Sequence, residues 1–453
     1  MTGSVARLRF PHPLILLVGC ILVAAVLTYV LPAGEFQRRE DPVTGRSVVV
    51  ADTYAPAQAR PVGPFQALVA IPKGMADAAS VVFYVFLVGG AFAVVERTGA
   101  LGRLVNQLAR GLAGRGLLVI PIVGFAFGLG GVLIQMQEEL IAFVPVLLLL
   151  TRRLGFNALT AVAMSLGASA IGASFSFINP FQVGIAQKVA ELPLLSGSLF
   201  RILFLVPAWA IWIAGTMQFA RRTRVQPAPL PAGQEGEAAA GWRHTAVLGV
   251  VLAAFALFVV GVLRFGWDFD QLSAVFFTMG VVAGLLGGLR LEETAEALVE
   301  GFRSMAFAAL LIGFARGIYI VLDEGRIVDT IVYGLFTPIA GLPTTLSALG
   351  MMLVQAVVHL PVPSTSGQAV LTLPLLVPLS DLIGLSRQVT VLAYQYGAGL
   401  CEILTPTNGA LMAMLAAAGV RYEEWLRFAV PIFAILLALA ALAIGVAVAI
   451  GLR

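Results

Sequence analysis

Long apolar runs, each about the length of one bilayer crossing, alternate with short polar stretches along nearly the whole chain. They lie near 13–31, 80–96, 158–177, 197–219, 246–265, 272–289, 304–322, 388–404 and 427–450. A helix needs about 20 apolar residues to cross the hydrocarbon core. The pattern therefore predicts an all-α polytopic membrane protein with nine crossings. The first run follows Arg7 and Arg9, is long for a cleavable signal core and meets no clean small-x-small site. It reads as a retained helix.

Two more apolar stretches are broken at their centres. IPIVGFAFGLGGVLIQMQEELIAFVPVLLLL is interrupted by Gly128, Gly130 and Gly131, then by Gln135, Gln137, Glu138 and Glu139. LSALGMMLVQAVVHLPVPSTSGQAVLTLPLLVPL is interrupted by HLPVPSTSGQ at 359–368. Irregular backbone at membrane depth survives only where protein or a water-filled cavity satisfies it. Both stretches read as re-entrant helical hairpins, one opening to each side.

The chain divides near its middle. Residues 221–243, RRTRVQPAPLPAGQEGEAAAGWR, have no apolar period and are rich in Pro, Gly, Ala and charge, so they read as a cytoplasmic linker. On this reading 1–220 is a first membrane repeat, and 244–453 holds an extra helix and a second repeat. VVERTGALGRL (94–104) resembles VLDEGRIVDTI (321–331), and 143–180 matches 372–409. Within that match Pro145 pairs with Pro374, Gly155 with Gly384 and Asn179 with Asn408, all at an offset of 229. The crossings ahead of the two units run in opposite directions, so the repeats are expected to be inverted.

Composition and charge narrow the class. The chain has 453 residues, of which 59% are apolar and 11% charged, against about 25% charged in soluble domains. Arginines orient the segments by the positive-inside rule. Arg7 and Arg9, then Arg103, Arg110 and Arg115, then Arg152 and Arg153, then Arg221, Arg222 and Arg224 mark cytoplasmic stretches. The mixed-sign segment 35–64 falls outside, and nine crossings put the C-terminus outside as well. The net charge of +4 comes mostly from these arginines, with no basic face for nucleic acid. Cys20 and Cys401 read as small apolar residues, and His12, His244 and His359 lack metal-site spacing, so no cofactor or metal is expected.

Polar groups in the breaks are the candidate solute or ion ligands. Ser364, Thr365, Ser366 and Gly367, behind Pro361 and Pro363, offer hydroxyls and helix N-terminal amides suited to a carboxylate, and freed carbonyls suited to sodium. The plain alternative is a packing turn of small residues. SFSFINP, with Ser174, Ser176 and Asn179, and TPTNG, with Thr405, Thr407 and Asn408, are paired proline-bearing breaks. Each is expected to lend an amide and loose carbonyls to one bound species, against the alternative of a kinked helix that re-satisfies itself. Charges at membrane depth cost about 2.5–3.5 kcal/mol and usually serve function. They are Glu138, Glu139, Arg316 and Glu402, with Gln137 between the tip residues. Arg316 could instead pair structurally with Asp323, and His359 is either a proton carrier or a satisfied histidine.

PSTSGQAVLTLPLLVPLSDLIGLSRQVTVLAYQYGAGLCEILTPTNG (363–409) resembles the YfcC branch of the anaerobic dicarboxylate-carrier (DcuC-like) family of the ion transporter superfamily. IPKGMADAA (71–79), the NPF at 179–181 and ARGIYIVLDEG (315–325) carry the likeness through nearly the whole chain. The resemblance implies a homodimer whose subunits each hold a scaffold and a mobile transport domain that works as an elevator. It maps the superfamily's hairpin tips and Asn/Thr breaks onto Gln137, Ser364, Thr365, Ser366, Asn179 and the 405–408 run. Ala398 departs from the acid that relatives often carry between the two glycines before the second break.

The expected function is secondary transport of a small organic solute, amino acid or carboxylate, across the inner membrane. It would run by exchange or be coupled to Na+ or H+. Glu138, Glu139 and Glu402 outnumber Arg316 and favour a zwitterion or cation over a dianion. A carrier specific for dicarboxylates and a channel are the alternatives. An intramembrane enzyme finds no rhomboid-like, aspartyl or zinc motif.

Overall fold

The computed structural model describes residues 12–40, 47–50, 52–111, 115–226 and 241–452. Arg7, Arg9 and residues 227–240, which make up most of the expected linker, lie outside them. In chain order the elements begin with α1 (Pro13–Val30) and two antiparallel strand pairs. The first pair is β1 (Gly34–Glu35) with β4 (Ala55–Pro56), the second β2 (Arg38–Glu40) with β3 (Ser47–Val49). Then come α2 (Pro64–Asp77), α3 (Ala79–Arg97), α4 (Ala100–Gly111), α5 (Val119–Ile134) and α6 (Val144–Leu154). A π-helical turn joins α7 (Ala158–Val162) to α8 (Ala168–Ser174), and another precedes α9 (Ile185–Val189). α10 (Ser198–Arg222), α11 (Gly241–Phe265), α12 (Phe269–Gly287), α13 (Leu291–Glu324) and α14 (Val328–Phe336) follow. The chain ends with α15 (Thr344–Val358), α16 (Thr365–Leu382), α17 (Arg387–Cys401), α18 (Gly409–Ala418) and α19 (Tyr422–Ala449).

Eight described helices are long and apolar enough to cross a membrane, so the nine expected crossings need correction. The runs at 158–177 and 388–404 form shorter helices, Ala158–Ser174 and Arg387–Cys401, because each stops at a polar break. The eighth long segment is Gly116–Ile134, expected as one arm of a hairpin. Its ends explain both readings. Gly116 packs against Leu154 at the close of α6, so the α5–α6 pair starts and finishes in one place. The α15–α16 pair does the same, with Thr344 Oγ1 donating to Ile383 O at 3.3 Å.

Local chemistry ends these helices. Gln135 takes φ 54° and closes α5, while Gly155 and Gly384 end α6 and α16 at φ 76° and 70°. A left-handed residue after a helix frees its last carbonyls for closing bonds and costs glycine least. The glycines paired at the 229-residue offset therefore share a conformation. In the other proposed match the left-handed residues are Gly99 and Arg326, not Gly99 and Gly325.

Two packed groups flank the middle of the molecule. α5 lies on α8, where Gly172 faces the Gly128 carbonyl, and α15 lies on α17, where Gly397 faces the Met352 carbonyl. A further group, α2, α3, α12 and α13, packs into a wall, with Gly74 against Gly313 and Gly317, and Gly280 against Ala91. Between α1 and α2, the strand segment grips α14. Arg38 Nη2 pairs with Asp329 Oδ1 at 2.8 Å, the Phe36 amide donates to Asp329 Oδ2 at 2.9 Å, and Tyr54 stacks on Tyr333 with centroids 4.3 Å apart.

A methyl at Gly172 would run into backbone, which cannot yield as a side chain can. Gly172→Ala is expected to destabilise by about 1–3 kcal/mol and to lower the melting temperature of the purified protein. Gly249→Ala, in a helix with open space around it, should be neutral or raise it by about 0.4–1 kcal/mol of stability. Equal melting of the two variants would show that the α5–α8 crossing is not close-packed.

Candidate functional site

The two broken hairpins meet tip to tip. Gln135, closing α5, donates from Nε2 to Thr365 Oγ1 at 2.6 Å in the first turn of α16, and to Glu402 Oε1 at 3.4 Å in the break after α17. Ser364 caps α16, its Oγ accepting from the Gly367 amide at 3.2 Å, so the helix restarts directly after Pro363. Asn408 caps α18 by accepting from the Leu411 amide at 3.1 Å. Its Nδ2 reaches Gln137 Oε1 at 3.4 Å and the Glu402 carbonyl at 3.3 Å. Glu139 turns back to accept from the Gln137 amide at 2.9 Å.

These groups border a cavity of about 400 Å³ between the tips and the α2–α13 wall. Of the residues singled out in the sequence, Gln137, Glu138, Glu139, Arg316, Ser364, Thr365, Ser366, Glu402, Thr407 and Asn408 line it. Five acidic side chains, Asp77, Glu138, Glu139, Asp268 and Glu402, face it with one guanidinium, that of Arg316. Phe181, Phe258, Trp267 and Phe269 supply apolar surface. Among the described residues, two buried atoms at the first tip have no protein partner, the acceptor Gln135 Oε1 and the donor Gln137 Nε2. Buried polar atoms are rarely left so, and a solute with both donors and acceptors would satisfy them.

The other expected residues lie elsewhere. Ser174 Oγ donates to Ala170 O at 2.6 Å, and Ser176 Oγ donates to Val132 O at 2.7 Å. Asn179 is tied to the framework: Nδ2 donates to Gly131 O at 3.0 Å, and Oδ1 accepts from the Phe181 and Gln182 amides at 2.9 and 3.1 Å. Thr405 donates to Cys401 O at 2.8 Å, and Gly367 is held by the Ser364 cap. His359 is buried behind the second hairpin, its Nδ1 3.0 Å from Gln368 Oε1. None of these borders the cavity. Arg316 pairs with Asp77 rather than Asp323.

Four charged or polar residues were not singled out as candidate ligands in the sequence, one of them Asp268, which caps α12 at the cavity. Gln135 stood within the quoted QMQEE break, and Asp77 within IPKGMADAA, an acid just ahead of an apolar run. Arg201, inside the run at 197–219, is fully buried and bonds Gln395 Oε1 at 2.9 Å, Gln388 Oε1 at 2.8 Å and Ser196 O at 2.7 Å. It fastens α10 to α17 without reaching the cavity. A charge in the middle of an apolar run was the signal available for it.

With this geometry in hand, comparison with known proteins places the chain. Residues 10–449 match the family model of DcuC, the C4-dicarboxylate anaerobic carrier, and the chain belongs to that family. It is 36% identical over 387 residues to YfcC of Escherichia coli (strain K12), a match covering 80% of this chain and 76% of that protein, whose name provisionally assigns it basic amino acid antiport. It is 28% identical over 410 residues to an uncharacterised protein of Haemophilus influenzae, over 87% of this chain and 80% of the other. The YdaH transporter of Alcanivorax borkumensis aligns over 97% of this chain and 99% of its own at 19% identity, with a TM-score of 0.44, too low to carry an argument. Family and helices together make this a multi-pass inner-membrane protein of a carrier family.

The paired asparagines should therefore behave differently. Asn179→Ala strips two backbone donors and one carbonyl of their partner, at a cost of about 1–3 kcal/mol, and should lower the melting temperature with affinities unchanged. Asn408→Ala should weaken solute binding about 5- to 150-fold. Titration of purified protein with L-arginine, and separately with succinate, measures both. Unchanged affinity in Asn408→Ala would place that residue in the framework.

Proposed function

We propose that this member of the DcuC family is a secondary active transporter for a small organic solute that carries positive charge, with basic amino acids the favoured class. The observation that carries the reading is the cavity between the hairpin tips, with five acidic side chains and one arginine. A cation entering it gains Coulomb attraction in a partly dehydrated site, whereas a dianion is repelled except at Arg316. The name of YfcC points the same way.

A carrier rather than a channel is supported by the arrangement of breaks. Two helix pairs double back, their tips bond to each other through Gln135 and Thr365, and both sets of ends are accounted for. The shared left-handed glycines at 155 and 384 and the two capping asparagines at 179 and 408 support inverted repeats. On this reading α2, α3, α12 and α13 are the scaffold, and the hairpins with α8, α17 and α18 move as an elevator in each subunit of a homodimer. Glu402 and the first-tip carboxylates are the candidates for coupling to Na+ or H+, or for direct exchange of one solute for another.

A dicarboxylate is the second reading, favoured by the family's description and by a cavity that Arg316 shares with the N-terminus of α16, where amides and hydroxyls suit an anion. Thermal shift separates the two, because a ligand of the folded state raises its melting point. L-arginine or L-lysine should do so, and succinate should not. Proteoliposomes preloaded with L-arginine should then take up labelled L-arginine faster than empty ones. Stabilisation by succinate alone would reverse the assignment. Single cysteines at Ser364 and Ser366 should label from one side only and be protected by saturating substrate. Labelling from both sides at all times would point to an open pore.

A further inference from the structure

Asp77 and Arg316 form an ion pair on the cavity wall, Arg316 Nε donating to Asp77 Oδ2, with side chains 38% and 40% exposed. The helices that bear them do not depend on it. Gly74 sits directly on Gly313 and Gly317, and Lys73 pairs with Glu324 at the far end of the same contact. The pair is also incomplete. A guanidinium offers five donors in a fork that matches a carboxylate two at a time. Here one nitrogen is used, and among the described residues neither terminal nitrogen has a protein acceptor. The Tyr319 ring, 4.8 Å from the guanidinium carbon, steadies the group.

We propose that Asp77 stands in for the solute's own carboxylate. It occupies Arg316 in the empty carrier and is displaced when an amino acid brings its α-carboxylate to the guanidinium. The cationic end of the solute then lies toward Glu138, Glu139 and Glu402. This rests on the basic amino acid reading above and fixes the orientation of the solute within it. The exchange replaces one carboxylate on Arg316 by another, so the guanidinium keeps an anionic partner, and the incoming group can take the two-point contact that Asp77 does not make. The released Asp77 side chain, already two-fifths exposed, is taken up by water in the cavity. Amines without a carboxylate bind with Asp77 still in place. Asp77 and Arg316 thereby set selectivity between amino acids and the corresponding amines.

The test uses purified full-length protein and two probes, L-arginine and its decarboxylated analogue agmatine. Asp77→Asn removes the competitor, so affinity for L-arginine relative to agmatine should rise about 2- to 5-fold. Arg316→Gln removes the receiving group, and the ratio should fall about 10- to 100-fold. In the Arg316→Gln background, Asp77→Asn should leave the ratio unchanged, because there is nothing left to compete for. A general field effect of the aspartate would persist in that background. If both cations bind but the Asp77→Asn shift is absent, or survives without Arg316, the stand-in role is overturned while the transport reading stands. If the wild type binds succinate and neither cation, the basic amino acid reading fails and takes the inference with it.

Discussion

The structure depends on one constraint: no backbone polar group at membrane depth can go without a partner, because there is no water to supply one. A continuous helix meets this by itself, and this chain stops being continuous where its polar residues gather. Each break is therefore matched by side chains that close it. Asn179 serves two amides and a carbonyl, Ser176 serves two amides and a carbonyl, and Asn408 and Ser364 each cap a restarting helix. What remains after this closure among the described residues, such as Gln135 Oε1 and Gln137 Nε2, is buried polar capacity that no protein group takes up.

The constraint also explains why two similar breaks differ in what they offer. The first lies under the α5–α8 crossing, where glycines bring backbones together and Gly131 O falls within reach of the Asn179 amide. The second lies against the opposite tip, where the Asn408 Nδ2 finds only long contacts, to Gln137 and Glu402. Sequence symmetry thus coexists with different bonding, since each asparagine takes the partners that its own packing brings within reach.

Much of the fold was legible because membrane crossing imposes a crude rule on composition. Apolar length found most of the long helices, glycines and a Gln/Glu cluster found the break at 135–139, and Pro, Ser and Thr found those within 359–368, 174–180 and 405–409. The rule fails where a run stops early, as at Ser174 and Cys401, since apolarity alone does not separate a full crossing from a helix ending at a buried cap. For the cavity, acids inside apolar stretches were visible as anomalies, and Glu138, Glu139 and Glu402 do border it. Asp77 was not visible as one, since an acid after a lysine on an amphipathic segment looks like ordinary surface. Ser174, Ser176 and Asn179 carried the right residue types, but hydrogen-bond partners supplied by α5 and by their own backbone are not encoded by local spacing.

The grip of the strand segment on α14 bears on the order in which the protein is made. Asp329 lies 291 residues after Arg38 and 293 after Phe36, the two groups it binds. A ribosome delivers the strands and α1 to the bilayer long before it makes α14, so the Phe36 amide and the Arg38 guanidinium must wait through the insertion of most of the chain. When α14 arrives, the aspartate fastens the hydrophilic strand segment to one of the later elements and closes a loop that spans most of the polypeptide. Completion of this clasp therefore has to follow the synthesis of α14, long after its first half has been made.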